Sequence, residues 1–314
     1  TMLFHGHECV DAAALARLPA LRVVSNHGVG IDHIDVPACT RAGVLVCHTP
    51  DVLTESVADM ALALLLAAAR NIVPGAALAI APSTVAFPKY AFGVDAAGAT
   101  VGLVGFGRIG QAIARRCALG FGMAVHYHAR HAVDAARLPF PATYHGSLGT
   151  LLPVCDFVVL ALPGSPEVRG LIGSEQLRRM RRHAILVNVG RGNAVDAVAL
   201  ASELAASTIR GAALDVTEPE PLPREHPLLA QAAAGRCIIT PHTASATMRT
   251  RSAMLAMVID NACAAQACDA DGSAASGGEE AWAAATTRIP ACVNAAEVGR
   301  VRREWHRGDG AVTL

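Results

Sequence analysis

The chain has 314 residues, of which 53% are hydrophobic and 17% are charged, so it can bury a large apolar core and is not predominantly disordered. At roughly 150 residues per domain, this length suggests about two domains. Lys plus Arg and Asp plus Glu both number 26, and this balance argues against nucleic acid or an anionic membrane as a partner. The longest apolar run, 60–69, is too short to span a bilayer.

Nine cysteines are scattered along the chain without a Cys-x-x-Cys pair. This pattern disfavours a secreted disulfide scaffold and a zinc ribbon, and it indicates reduced thiols in a cytoplasmic compartment. The histidines show no His-x-x-x-His spacing within one helix, so no metal site is predicted.

Two strands and one long helix are predicted in the first part of the chain. Short apolar runs predict strands over 21–25 and 44–46. A helix is predicted over 54–70, where Thr54 can cap the first turn. The Pro and Gly residues within 75–98 predict a connecting segment.

The middle of the chain alternates continuous apolar runs with helical stretches, which is typical of a parallel sheet whose strands are covered on both faces. The predicted strands are 99–104, 124–127, 157–160, 184–189 and 212–216. The predicted helices are 109–119, 174–180 and 195–206. After them, a helix is predicted over about 244–267, a flexible linker over 269–287, and a solvated end of the chain, disordered in part, over 300–314.

Three glycines follow the first strand of this series in a Gly-x-Gly-x-x-Gly pattern. Gly105 permits a tight turn, Gly107 lets a pyrophosphate approach the backbone, and Gly110 lets helix and strand pack closely. Amide groups at the start of the following helix then face the anion. The pattern therefore predicts a dinucleotide site.

Cofactor preference is inferred from the residue near the end of the second strand. An NAD site usually has an acid about 20 residues after the last glycine, but this chain has Arg130 there. Because an arginine pairs well with a 2′-phosphate, NADP(H) is the preferred cofactor and NAD(H) remains possible. The alternative is that Arg130 only stacks on the adenine.

An arginine, a carboxylate and a histidine follow the ends of later strands, namely Arg191, Glu220 and His242. Reduction of a 2-oxo acid needs these three groups: a guanidinium to bind the carboxylate, an imidazolium to give a proton to the carbonyl oxygen, and an acid to orient the ring. The alternatives are a helix-start cation for Arg191 and a packed core histidine for His242. Glu218 is near enough in sequence to be mistaken for Glu220.

Several segments together resemble the D-isomer-specific 2-hydroxyacid dehydrogenases, namely 27–35, 49–59, the glycine loop, and the stretches around Arg191, Glu220 and His242 in that order. The resemblance implies that these three residues are catalytic and that the backbone at Val29–Gly30 receives the substrate carboxylate. It also implies contacts with the cofactor, from Arg108 and Ile109 to the pyrophosphate, from Asp215 to the nicotinamide amide, and from Val189 and Ser245.

Two doubly wound α/β domains with parallel sheets are implied by this resemblance. The Rossmann-type cofactor domain would span 51–243. The flavodoxin-like substrate domain would combine 1–50 with 244–314, with the active site in the cleft between the domains. Only about twenty residues precede the first predicted strand, so the substrate domain is expected to be truncated at its N-terminus. A homodimer built through the cofactor domain is implied as well.

The sequence at residues 49–54, together with Arg130, is most similar to that of the NADPH-preferring glyoxylate/hydroxypyruvate reductases. The expected activity is therefore reduction of a small 2-oxo acid to the D-2-hydroxy acid. An alternative is another dehydrogenase on the same scaffold, such as a phosphoglycerate or formate dehydrogenase. The resemblance to formate dehydrogenases would call for a glutamine at the position of Glu220, which this chain lacks. Further alternatives are a nicotinamide-sensing binding protein, similar to the C-terminal binding protein corepressors, and an inactive remnant.

Overall fold

The computed structural model describes residues 2–4, 9–81, 92–270, 289 and 291–307, which divide into two compact units. Unit 1 comprises Thr1–Leu53 and Thr247–Leu314, and unit 2 comprises Thr54–Ala246. The limits predicted for the cofactor domain, 51–243, each differ by three residues from those of unit 2.

The strands and helices up to residue 121 are, in chain order, β1 (Met2–Phe4), α1 (Ala12–Ala16), β2 (Val23–Asn26), α2 (Val36–Arg41), β3 (Leu45–Cys47), α3 (Thr54–Ala69), α4 (Ile72–Ala79), β4 (Thr100–Val104) and α5 (Arg108–Phe121). Those that follow are β5 (Ala124–His128), β6 (Ala142–Tyr144), α6 (Leu148–Leu151), β7 (Phe157–Leu160), α7 (Ser174–Arg179), β8 (Ile185–Asn188), α8 (Ala197–Ala205), β9 (Gly211–Leu214), α9 (Pro227–Ala233), β10 (Cys237–Ile239), α10 (Met248–Ala270) and α11 (Ala295–Arg307).

Unit 1 is built on a parallel sheet in the order β1-β2-β3. Successive residues of a strand point to opposite faces, and both faces of β2 and β3 are apolar. Val24 and Val46 pack in one cluster with side chains of α1 and α2, whereas Val23 and Leu45 pack in a second cluster with side chains of α10 and α11. Helices therefore cover this sheet on both sides.

Unit 2 is built on a seven-stranded parallel sheet in the order β10-β9-β8-β7-β4-β5-β6. The chain starts this sheet at β4, proceeds outward through β5 and β6, and returns to the other side of β4 for β7 to β10. The winding therefore reverses between β4 and β7, and open α/β sheets bind ligands beyond the carboxyl ends of the strands at such a point.

All strands and helices predicted before residue 217 are confirmed to within two residues at each end. Two predictions are corrected. The segment predicted as connecting, 75–98, begins inside α4, because Pro74 lies in the first turn of that helix, where its missing N–H needs no partner. The end of the chain is helical as far as Arg307, since α11 buries Val298 and Arg302.

The helix predicted after residue 243 begins at Met248, four residues later than expected. Most of the predicted linker, 269–287, lies outside the described residues. One βα unit, β1 with α1, precedes the first strand that the sequence indicates. Within the described part of the chain no single helix is long and apolar enough to cross a membrane, although α3 and α4, bent by 60° to one another, pass that test of length and composition together.

Candidate active site

The predicted site residues of unit 2 lie within six residues of the carboxyl ends of five strands. Gly105 follows β4, Arg130 follows β5, Arg191 follows β8, Glu220 follows β9 and His242 follows β10. Because these strands are parallel, their carboxyl ends form one edge of the sheet. The topology thus brings segments that are far apart in sequence to the same side of the unit.

The glycine loop connects β4 to the first turn of α5. Gly105 has a φ of +94°, and a Cβ there would lie 2.6 Å from the carbonyl oxygen of Ala161, just after β7. A Cβ at Gly110 would collide with the Gly105 carbonyl oxygen. At Gly107, by contrast, a Cβ would meet no atom within 4 Å, and Gly107 immediately precedes the helix.

This loop fits the pyrophosphate of a dinucleotide. The backbone is open at Gly107, and the N-terminus of a 14-residue helix stands behind it, so amide groups and the helix dipole both favour an anion there. Arg108 is exposed and Ile109 is half-buried at the first two helical positions. Both residues are therefore accessible at the place where the sequence predicts them to contact the cofactor.

Arg130 is an exposed residue two positions beyond the end of β5. The pKa of the Glu167 carboxyl lies below its ordinary value because the Ser165 side chain hydrogen-bonds to it and because the Arg130 charge is close. Since Glu167 follows β7, Arg130 lies within electrostatic reach of the loops at the switch point. No carboxylate occupies position 130 to accept a bond from a ribose 2′-hydroxyl.

Arg191 is held by a buried asparagine that the sequence analysis did not single out. The Asn188 side chain, fully buried, donates to the Arg191 carbonyl oxygen at 2.8 Å and accepts from the Gly190 N–H at 3.0 Å. The Arg191 guanidinium donates to the Gly190 carbonyl oxygen at 2.9 Å. The signal that could have revealed Asn188 is a polar residue at the end of an otherwise apolar strand.

The loop after β8 is packed directly against the loop after β9. A Cβ at Gly192 would collide with the backbone carbonyl of Thr217, so only glycine permits this approach. Arg191 is therefore fixed beside the segment that leads to Glu220.

Glu220 and His242 are hydrogen-bond partners, since His242 Nδ1 lies 3.2 Å from Glu220 Oε2. An ionised carboxylate can only accept, so Nδ1 carries the hydrogen and donates it. The Nε2 atom is then the ring nitrogen that does not face Glu220. His242 also has a φ of +53°, a left-handed backbone conformation that costs a non-glycine residue free energy and is concentrated at functional sites.

Glu218 is engaged elsewhere, by a bond of 2.8 Å from Arg169. Of the two neighbouring glutamates, Glu220 is thus the one beside His242. The Arg169–Glu218 ion pair joins the loop after β7 to the loop after β9.

Asp215 is fully buried, and its carboxylate accepts bonds from the segment that carries His242. Oδ1 accepts from the Thr240 hydroxyl at 2.6 Å, the Thr243 N–H at 2.9 Å and the Thr243 hydroxyl at 3.4 Å. Oδ2 accepts from the Ala244 N–H at 2.8 Å. Asp215 was predicted only to contact the nicotinamide amide, and its bonds to the 240–244 segment are visible only in the folded structure.

Val189 directly follows β8, and Ser245 directly follows the 240–244 segment. Val189 is buried and donates its N–H to the Leu160 carbonyl oxygen at 3.1 Å, whereas Ser245 is half-buried. Within the described residues, no group of three or more His, Cys, Asp or Glu side chains is arranged to hold a metal ion.

The predicted substrate loop, Val29–Gly30, belongs to unit 1. The Asn26 side chain donates to the Gly30 carbonyl oxygen at 2.8 Å, and His48 Nδ1 lies 2.9 Å from the Val29 carbonyl oxygen. These bonds fix both carbonyl groups of the loop within unit 1.

Comparison with known proteins gives consistent matches. The NAD binding domain of the D-isomer specific 2-hydroxyacid dehydrogenases matches residues 62–244. A glyoxylate/hydroxypyruvate reductase B from Escherichia coli is 43% identical over 260 residues, which are 82% of this chain and 79% of that protein.

Two solved structures show the same likeness. The TT0316 protein of Thermus thermophilus is 44% identical, with a TM-score of 0.76 over 83% of this chain and 80% of that one. An NADPH-dependent glyoxylate/hydroxypyruvate reductase from Sinorhizobium meliloti, solved with NADP and malonate, is 38% identical, with a TM-score of 0.74 over 82% of this chain and 78% of that one. The chain belongs to the D-isomer-specific 2-hydroxyacid dehydrogenase family.

Proposed function

We propose that this protein reduces a small 2-oxo acid, glyoxylate or hydroxypyruvate in preference, to the D-2-hydroxy acid, with NADPH as the hydride donor. The observation that carries the proposal is the Glu220–His242 pair, 3.2 Å apart, on the sheet edge that also holds Arg191 and the glycine loop. The names of the Escherichia coli and Sinorhizobium meliloti relatives support the choice of substrates.

In the proposed reaction His242 is the general acid. Its Nδ1–H is bonded to Glu220, so the protonated Nε2 can give its hydrogen to the carbonyl oxygen of the substrate as that oxygen gains negative charge. Glu220 orients the ring through its contact with Nδ1. The nicotinamide, when bound, supplies the hydride to the carbonyl carbon.

Arg191 is proposed to bind the substrate carboxylate. A guanidinium presents two parallel N–H groups to a carboxylate, and the backbone of Arg191 is already fixed by Asn188 and by the contact between Gly192 and Thr217. The backbone amides of Val29–Gly30 are proposed to contribute to substrate binding. Asp215 is proposed to reach the nicotinamide amide while it orders the 240–244 segment.

The proposed preference for NADPH depends on Arg130. It is exposed and stands at the position where an NAD site usually carries an acid. The binding of NADP by the Sinorhizobium meliloti relative supports the same preference.

The decisive experiment is a panel of 2-oxo acids with NADPH and NADH, followed at the nicotinamide absorbance, on the wild type and on His242→Gln. We expect His242→Gln to lower kcat by about 10²–10⁴-fold, with cofactor binding retained. The matched control is His183→Gln, because His183 precedes β8 at the opposite edge of the sheet. Wild-type protein that binds NADPH but turns over no 2-oxo acid would refute the proposed function. A near-normal kcat in His242→Gln would refute the assignment of His242 as the general acid.

A homodimer is also proposed, formed through unit 2. Helix α4 buries none of its own side chains, and Ile72 and Val73 are 53% and 54% exposed, so this apolar face suits a second copy of the chain. Light scattering should give twice the chain mass for the wild type and the single mass for Val73→Asp.

The nine cysteines are all free thiols, which supports a reducing, cytoplasmic location.

A further inference from the structure

Cys47 and Cys292 face each other across an isolated antiparallel bridge in unit 1. Cys47 ends β3, and Cys292 lies just before α11. The bonds that flank the bridge run from the His48 N–H to the Ala291 carbonyl oxygen at 3.1 Å and from the Val293 N–H to the Val46 carbonyl oxygen at 2.9 Å. The backbones of Cys47 and Cys292 exchange no hydrogen bond with each other. They therefore form the non-hydrogen-bonded type of pair, in which Cα atoms are typically about 4.5 Å apart and side chains are closest.

This kind of pair meets the geometric requirement for a disulfide, which spans Cα atoms about 4.4–6.8 Å apart. Side chains of such a pair lie on the same face of the bridge, and Cys292 packs against the apolar cluster that contains Cys47. Cys47 is fully buried, whereas Cys292 is half-buried and therefore partly accessible to a small reagent.

Asn294 holds the two segments in this register. Its side-chain oxygen accepts from the Val46 N–H at 2.8 Å, and its amide group donates to the Thr40 hydroxyl at 2.9 Å and to the Val44 carbonyl oxygen at 3.0 Å. Because Asn294 is itself buried, these bonds keep Cys292 opposite Cys47 in the folded unit.

The reactivity of Cys292 differs from that of other buried thiols in the chain. Burial raises the pKa of Cys39 to about 11 and that of Cys117 and Cys155 to about 12, which leaves these thiols unreactive near neutral pH. The neighbouring Cys47 thiol instead lowers the pKa of Cys292, whose Sγ also donates to Asn294 Oδ1 at 3.6 Å. Because Cys292 is the more exposed of the two, it is the thiol of the pair that is placed to react first.

We propose that Cys47 and Cys292 are a redox modification site that forms a reversible disulfide by exchange with a small disulfide of the glutathione type. The Cys292 thiolate attacks one sulfur of glutathione disulfide, forms a mixed disulfide and releases one glutathione thiolate. Cys47 then loses its proton and attacks the Cys292 sulfur of the mixed disulfide, which releases the second glutathione thiolate. The two thiol protons end on the two glutathione molecules, so the protein is oxidised and glutathione disulfide is reduced by two electrons.

The bond would join β3 covalently to the segment that leads into α11. That segment is otherwise held by non-covalent contacts, which include the Asn294 bonds and a bond of 2.9 Å from Arg302 to the Gly43 carbonyl oxygen. A cross-link between positions 47 and 292 closes a long loop and restricts the unfolded chain, so the oxidised protein should unfold at a higher temperature than the reduced protein.

The test uses the full chain equilibrated with reduced and oxidised glutathione over a range of ratios, followed by rapid alkylation, intact-mass measurement and peptide mapping. The expected result is the loss of two alkylatable thiols, a peptide pair that joins Cys47 to Cys292, and a rise in Tm that reductant reverses. Cys292→Ser should abolish the cross-link and the rise in Tm. The matched control is Cys263→Ser, which removes an exposed thiol and should leave both unchanged.

Three outcomes would overturn the proposal. The first is alkylation of both Cys47 and Cys292 at the most oxidising ratio. The second is a glutathione adduct on Cys292 that never resolves to a cross-link. The third is a cross-link from Cys47 to Cys268, which lies in the same apolar cluster. Because the measurement counts thiols and not turnover, it is independent of the proposed enzymatic activity.

Discussion

Replacement of Asp215 by asparagine tests whether this buried carboxylate orders the segment that carries His242. In the native structure Oδ1 faces the Thr240 hydroxyl and the Thr243 N–H, and Oδ2 faces the Ala244 N–H. Asparagine offers one acceptor oxygen and one amide group that only donates. One side of the site must therefore place a donor against a donor.

The expected loss follows from these contacts. If the asparagine oxygen faces Thr240 and Thr243, the buried Ala244 N–H loses its acceptor, which costs about 1–3 kcal/mol. The bonds that remain lose their charge assistance, which is worth about 1 kcal/mol more. We therefore expect Asp215→Asn to lower the free energy of unfolding by about 2–4 kcal/mol.

The assay is urea denaturation of cofactor-free protein, and the matched control is Asp196→Asn. Asp196 caps α8 with Oδ1 alone, which accepts from the Val198 and Ala199 N–H groups at 3.0 and 2.9 Å. Asparagine can reproduce both of those bonds, so the control should lose no more than about 0.5 kcal/mol. Amide hydrogen exchange at residues 243 and 244 should speed up only in Asp215→Asn.

Equal stability of Asp215→Asn and Asp196→Asn would show that the four bonds to Asp215 do not order the segment. Loss of stability without faster exchange at residues 243 and 244 would place the effect elsewhere in unit 2. A fall in kcat that accompanies faster exchange is expected, because His242 is part of the segment.

Other substitutions test the neighbouring groups. Glu220→Gln should lower kcat by about 10-fold or more, because the His242 ring loses its charged partner. Glu218→Gln should leave kcat near the wild-type value. Equal effects of the two substitutions on kcat would refute Glu220 as the partner of His242. Arg130→Ala should raise the KM for NADPH at least about 10-fold and leave the KM for NADH unchanged, which kinetics with both cofactors will check. Partial burial raises the pKa of Asp156, but bonds from the Thr100 N–H, His183 and Arg181 outweigh this effect, so the pKa lies below its ordinary value. The ionised Asp156 should therefore stabilise the folded protein above about pH 4, and this contribution should be lost as the pH falls further. Urea midpoints measured at about pH 7 and pH 3 should differ less in Asp156→Asn than in the wild type.

The predictions for α4 and α11 show where local sequence signals are ambiguous. Pro74 and Gly75 are strong breakers inside a helix, yet at the start of one Pro costs nothing, and only the structure decides which case applies. The basic residues of α11 suggest a solvated end of the chain, but Arg302 is buried against the Gly43 carbonyl oxygen. That partner is 259 residues away in sequence, so no local pattern could reveal it.

Three short strands, β1, β6 and β10, were not predicted from the sequence. β1 and β6 have three residues each, and β6 has no buried residue. Hydrophobic patterning reports burial, and a three-residue strand without a buried residue, as β6 is, produces no such pattern.

The sequence by itself determined the long helix α3, the strands and helices from β4 to β9 apart from β6 and α6, and the position of the glycine loop. These features are local, because they depend on runs of buried residues and on the backbone freedom of glycine. The tertiary structure alone decided which polar groups meet: Glu220 rather than Glu218 beside His242, Asp215 beneath the 240–244 segment, and Cys47 opposite Cys292. Such pairings depend on strand order and on the close packing of loops, and residues that are distant in sequence acquire their partners only when the sheet has formed.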